Sequence, residues 1–242
     1  MIVLPPMSVA QTESWHALLE LYERLPAGWT LIGGQMVHLH CAERGSVSPW
    51  PTDDADAVLD IRANPQILLE FTRALTDLEF VADGIAAEGQ QHRWKRDRAS
   101  IDVLIPDNVG ERLARRTGVT GSPTVQTPGG IQALHRSQVV AVDVAGRPGH
   151  VPRPGLVGAL IMKAAAHTVP VDPHRGRHRS DFATLAALVA ASDFVDETLS
   201  KKERQYLRDM VDATRADRSV MGSRPDADDG LIRVERRIVS SN

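Results

Sequence analysis

The ten residues Thr52–Ile61, TDDADAVLDI, decide how the rest of the chain is read. From Asp54 onward, Ala55, Ala57, Leu59 and Ile61 alternate with Asp54, Asp56, Val58 and Asp60, the period of two that a β-strand imposes because successive side chains leave opposite faces. Asp54 and Asp56 therefore leave one face together, and their carboxylates can converge on a single cation. Paired carboxylates with open coordination positions suit magnesium, a hard ion that takes oxygen ligands and completes its shell with water and phosphate oxygens. An isolated Asp-x-Asp is more often a strand edge showing its acids to water, so the flanking sequence has to decide.

Upstream, Trp29–Ile32 reads as a short buried strand, broken by Gly33-Gly34 before a helix that carries Met36, Val37, Leu39 and His40. A strand-to-helix turn without side chains lets phosphate oxygens approach backbone N–H groups at a helix N-terminus. Earlier still, Trp15, Leu18, Leu19, Tyr22 and Leu25 recur at helical spacing until Pro26 and Gly28 stop them. Gly45–Pro51, rich in Gly, Ser and Pro, is expected to be a loop. Downstream, Asn64 and Pro65 predict a helix start, continued by Leu68, Phe71, Leu75 and Leu78. Strands are expected at His92–Lys95 and Ser100–Ile105, the second ended by Pro106. In that second strand Asp102 points away from Ile101, Val103 and Ile105; if it neighbours the Asp54 strand, three carboxylates share a site. Val109–Pro128 reads as an irregular excursion, Gly129–Arg136 as a short helix, and Val139–Val144 as a strand followed by a turn at Gly146–Gly149.

From Pro154 the pattern becomes helical. One helix is marked by Leu156, Leu160, Ile161, Ala164 and Ala165, another by Phe182, Leu185, Ala186 and Val189. A third starts at Ser200, three residues before Glu203 in capping-box spacing. Lys163 lies among alanines, where a long ammonium side chain either reaches a phosphate as a point charge or snorkels to water. His178 and Asp181, spaced i, i+3, share a helix face. After Asp217 the chain is polar enough to be mobile, although Leu231–Val239 could pair as an edge strand. These shifts divide the chain into residues 1–152, an α/β unit expected to carry the chemistry; residues 153–216, a helical region; and a tail over residues 217–242.

The order of strand, Gly33-Gly34, helix, loop, Thr52 to Asp56 and then Ile101-Asp102-Val103 resembles the nucleotidyltransferase superfamily of the polymerase-beta type. With Leu31-Ile32 before the glycines, His92-Arg93-Trp94, Leu104, and the helical pair carrying Lys163 and His178 to Asp181, it looks most like the AbiEii/AbiGii abortive-infection toxins, over about residues 29–190. The resemblance implies an α/β (α+β) nucleotidyltransferase fold, a mixed sheet flanked by helices with a C-terminal helical region. Asp54 and Asp56 would ligate magnesium bound to a nucleoside triphosphate (NTP). Asp102 would contact a second magnesium or activate the acceptor hydroxyl. A nucleoside monophosphate (NMP) would then pass to a tRNA-like RNA or a protein by in-line attack on the α-phosphate, releasing pyrophosphate. Gly33, Gly34, Thr52, Lys163 and Asp181 would bind the nucleotide, unless Asp181 only orients Lys163 or caps its helix. A toxin of this kind implies an antitoxin protein as partner. The chain departs from the pattern at Gln35, where a small hydroxyl residue is common, and in the Gly45–Pro51 loop, which carries Arg44 away from the acids. Two other readings are compatible with the same fold: a small-molecule acceptor, as in antibiotic-modifying members, and a non-catalytic nucleotide-binding module.

The composition sets outer bounds. A hydrophobic fraction of 42% and a charged fraction of 24% lie near globular averages, enough to build a sizeable core. A formal net charge of −3 gives no global field for nucleic acid, so such a partner would have to meet a local patch. Three stretches offer one: Arg93, Lys95, Arg96 and Arg98; Arg112, Arg115 and Arg116; and Arg175, Arg177, His178 and Arg179. Cys41, the single cysteine, cannot form an internal disulfide. No apolar run reaches the ~18 residues of a membrane span, and Met1–Met7 does not read as a secretory signal; a cytoplasmic protein is expected. No serine nucleophile, Cys-His pair or zinc spacing competes with the carboxylates.

Overall fold

In the computed structural model, which describes residues 1–48, 52–86, 88–169 and 175–240, a two-residue strand, β1 (Ile2–Val3), leads into α1 (Val9–Arg24). Ser8 starts the helix: its hydroxyl oxygen accepts from the Gln11 N–H at 3.0 Å, satisfying one of the donors that a first turn leaves unpaired. Trp15, Leu18 and Leu19 are buried, as their spacing predicts. All of β2 (Trp29–Ile32) is buried, and Gly33, at φ +69°, turns the chain straight into α2 (Gly33–Glu43).

β3 (Asp54–Leu59) is followed by a turn rather than directly by a helix. Asn64 Oδ1 accepts from the Gln66 N–H at 2.9 Å, and α3 (Ile67–Asp77) starts just beyond. Then come β4 (Val81–Ala82), β5 (Arg93–Arg96) and β6 (Ala99–Pro106). The stretch expected to be irregular holds two short elements, α4 (Glu111–Ala114) and β7 (Val125–Thr127).

The central sheet runs β2-β3-β6-β5-β4, with β7 paired in parallel to the end of β6. β2 and β3 are antiparallel, β3 and β6 parallel, β6 and β5 antiparallel, which makes the sheet mixed. Parallel neighbours cannot be joined by a tight turn, and α3, β4 and β5 lie in the connection between β3 and β6. One row crosses four strands: Ile32 opposes Asp56, Asp56 opposes Asp102, and Asp102 opposes Arg93.

After α5 (Gly130–His135), β8 (Ser137–Val144) and β9 (Arg147–Pro154) form a hairpin that joins β1 in a second, three-stranded sheet. Sequence reading expected only a turn at Gly146–Gly149 and missed β9, because Pro148, Pro152 and Pro154 argue against a strand. The prolines occupy alternate positions, so their missing N–H groups all fall on one edge and the other edge is left to pair with β8.

The helical region comprises α6 (Leu156–Ala166), α7 (Arg175–Ala187), a 3-10 turn at Ala191–Phe194, α8 (Lys201–Ala216), α9 (Arg218–Ser223) and α10 (Ala227–Ser240). Ser200 and Glu203 form the expected capping box. The edge strand considered for Leu231–Val239 is instead part of α10. Leu231, Val234 and Ile238 are buried at helical spacing, each worth about 1.5–3 kcal/mol of burial. At Gly230 a Cβ would lie 1.8 Å from the Ala186 carbonyl oxygen, so α10 crosses α7 backbone against backbone. The main core is continuous from Trp15 of α1 through the sheet to Ile238 of α10. The result is a mixed α/β fold, helices flanking a central sheet, with a C-terminal helical region.

Candidate active site

Asp54 and Asp56 share a face of β3 and Asp102 stands opposite Asp56 on β6, so the adjacency that the sequence required is met. The three line a cavity of about 310 Å³ together with Gly33, Gly34 and Thr52. Lys163 and Asp181 close it from the helical region, and Arg93, Arg177 and His178 complete its charged wall. Every site residue named from sequence therefore borders one cavity. On the other face of β6, Ile101, Val103 and Ile105 are buried in the core, while Asp102 is only 7% exposed.

The glycine turn forms the floor. A Cβ on Gly33 would lie 1.8 Å from Asp56 Oδ2, and one on Gly34 would lie 2.6 Å from Thr52 Cγ2. The bare backbone is thus what admits the Asp56 carboxylate. No side chain caps the first turn of α2, whose N–H groups start at this turn and form the kind of end that accepts an anion.

The acids are held individually. Thr52 Oγ1 donates a short hydrogen bond to Asp54 Oδ1. Gln35, the departure from the superfamily pattern, faces away from the cavity. Its Nε2 donates to the Thr52 carbonyl at 2.5 Å, and its Oε1 accepts from Trp15 Nε1 at 2.7 Å and Gln11 Nε2 at 3.1 Å. It therefore anchors the residue that fixes Asp54. Lys163 Nζ donates to Asp181 Oδ2 at 2.6 Å with both side chains buried. Burial, followed by the neighbouring charges of Asp54 and Asp102, pushes Asp56 up to about 7, against the opposing pull of Lys163 and Arg177.

Sequence reading placed Arg93 in a basic cluster and missed its part in the site. Its guanidinium grips Asp102 by two parallel bonds, Nε to Oδ1 at 2.8 Å and Nη2 to Oδ2 at 2.6 Å, and Nη2 lies 3.6 Å from Asp54 Oδ2. Only the strand order, which places Arg93 beside Asp102, could have revealed this. Among the described residues no group of three or more histidine, cysteine or carboxylate side chains forms a ready metal cluster. Arg44 lies outside the cavity lining and pairs with Asp193. The thiol of buried Cys41 is pushed up to about 11, chiefly by burial.

Several residues of the basic clusters are paired with acids of the chain. Lys95 pairs with Asp83 at 2.7 Å, Arg96 with Glu20 at 2.9 Å, Arg115 with Glu111 at 2.5 Å, and Arg179 with Asp217 at 2.8 Å.

The structure is similar to the crystal structure of an antigenic nucleotidyltransferase-like protein from Paracoccidioides brasiliensis, with a TM-score of 0.52 and 14% identity over 95% of each chain. The solution structure of the antibiotic-resistance factor ANT(2'')-Ia aligns at a TM-score of 0.45 and 14% identity, over 87% of this chain and 97% of that one, too loosely to add to the comparison. No family model and no curated protein matches the sequence. The chain has a nucleotidyltransferase-like fold, and the acidic cavity lies against one face of its central parallel strand pair.

Proposed function

We propose that this protein is a magnesium-dependent nucleotidyltransferase, akin to the AbiEii/AbiGii toxins, that moves an NMP from an NTP onto an RNA or protein acceptor. The observation that carries this reading is the convergence of Asp54, Asp56 and Asp102, from paired parallel strands, on a cavity floored by the Gly33-Gly34 turn. The donor set is all oxygen, as a hard divalent ion requires. Asp54 and Asp56 would hold the magnesium of the triphosphate, and Asp102 a second ion or the acceptor hydroxyl. When bound, magnesium neutralises charge on the attacking and leaving oxygens.

The remaining work falls to the chain itself. The N–H groups at the start of α2 bind phosphate oxygens across the glycine turn. Lys163, fixed by Asp181, supplies a set positive charge beside them, and Thr52 keeps Asp54 in one rotamer. The acceptor oxygen bonds to the α-phosphorus as the bond to the bridging oxygen of the leaving pyrophosphate breaks, and the hydroxyl proton passes to Asp102 where that carboxylate serves the acceptor, or to solvent where it holds a second ion. A toxin role in the cytoplasm with a cognate antitoxin follows from the family resemblance. Among the described residues no helix is long and apolar enough to cross a membrane.

The test is incubation with magnesium, each of four labelled NTPs, and total RNA or lysate. Labelling of one acceptor is expected. Asp54→Asn should reduce it by about 10³-fold or more while leaving the thermal melt cooperative. Equal labelling by the variant would overturn the metal assignment. Triphosphate binding without pyrophosphate release on any acceptor would make the protein a non-catalytic binding module.

A further inference from the structure

Arg93 stands in the site as a charge that the proposed reaction does not use. Its placement comes from the sheet: Arg93 opposes Asp102 in the antiparallel β5–β6 pair, and opposed residues share a face. Both oxygens of Asp102 accept from the guanidinium, and the same Nη2 approaches Asp54 across the width of β6. One cation thus spans two of the three acids that would hold a divalent ion. Lys163 is not in that position, because it is bonded to Asp181.

We infer that Arg93 is the resident counter-ion of the acidic cluster and that a divalent cation must displace it from Asp102 and Asp54 to bind there. This rests on reading the acids as a metal site. The partners are unequally held. The Asp102 side chain is 10% exposed, whereas that of Arg93, which also lines the cavity, is 38% exposed. Displacement therefore moves the arginine and leaves the acid in place. Without a cation in contact, the acids would repel one another at the centre of the sheet, and the fork of Arg93 keeps them assembled until the metal arrives. A lysine could not do the same, since a single ammonium cannot address both oxygens in parallel.

The competition is read by titrating the full chain with Mn²⁺ alone, by calorimetry and electron paramagnetic resonance, for the wild type, Arg93→Gln and Arg93→Lys. Arg93→Gln should bind Mn²⁺ at least about tenfold more tightly than the wild type, with Arg93→Lys in between. If the wild type binds Mn²⁺ and a cooperatively melting Arg93→Gln binds it no more tightly, the inference fails and the metal site stands. If neither binds Mn²⁺, the metal reading fails and takes this one with it.

A measurement on the wild type covers an unfolded variant. The Arg93 Nε–H resonance should be protected from exchange in the metal-free protein and lose that protection as Mg²⁺ is added. Protection persisting at saturating Mg²⁺, with the metal shown to bind, would overturn the displacement.

Discussion

Gly33 shows how much of the site rests on single atoms. At φ +69° a side chain is already disfavoured by roughly 1–2 kcal/mol, and here the added carbon would also collide with the Asp56 carboxylate. Gly33→Ala should lower stability by at least that amount and weaken Mn²⁺ binding, because Asp56 has to leave the turn. Thermal melts and a metal titration check both parts, and unchanged metal affinity would separate the glycine from the acids. Legibility at this scale was uneven. Asp54, Asp56 and Asp102 could be read because alternation fixes which face a strand residue takes. Gln35 could not: in sequence it looked like a missing phosphate ligand, and only its partners Trp15 and Thr52 show it to be a buried anchor.

Among the elements, the junction between α5 and α8 has a measurable consequence. Arg136, which follows α5, donates from Nε to Glu197 and from Nη1 to Glu203, both at 2.8 Å, and from Nη2 to the Thr198 carbonyl at 3.1 Å. Burial alone would raise the Glu203 carboxyl. That is outweighed by its hydrogen bonds with Arg136 and Ser200, which hold it below its ordinary 4.5. In acid the unfolded chain binds the proton more readily than the folded one. The stabilisation is therefore complete above the unfolded value and is lost as pH falls through the folded one. Glu203→Gln should cost roughly 1–3 kcal/mol at neutral pH, and the gap to wild type should narrow as melts are repeated below pH 4.5. The cap itself was legible, because Ser and Glu three apart before an apolar periodicity have one economical use. β9 and α10 were not. Proline on one edge of a strand reads as a breaker, and a short apolar stretch such as Leu231–Val239 fits either period until its packing on α7 is known.

For the whole molecule, the sequence carried the order of the elements that frame the site but not their lateral arrangement. That β6 lies between β3 and β5 brings Asp56, Asp102 and Arg93 into one row, and no local pattern encodes this. The same holds for charge. Counted along the chain, Arg93, Lys95, Arg96, Arg115 and Arg179 read as attractive to a polyanion; in space each faces an acid of the chain. An incoming RNA would have little left to neutralise at those positions, and few condensed ions would leave its phosphates. The logarithm of affinity plotted against that of salt concentration should therefore fall gently, with a slope of about −1 to −3 instead of the −6 to −10 of proteins that grip a nucleic acid backbone along its length. Under the proposed function, binding of an RNA acceptor would then change little between concentrated cell sap and dilute buffer.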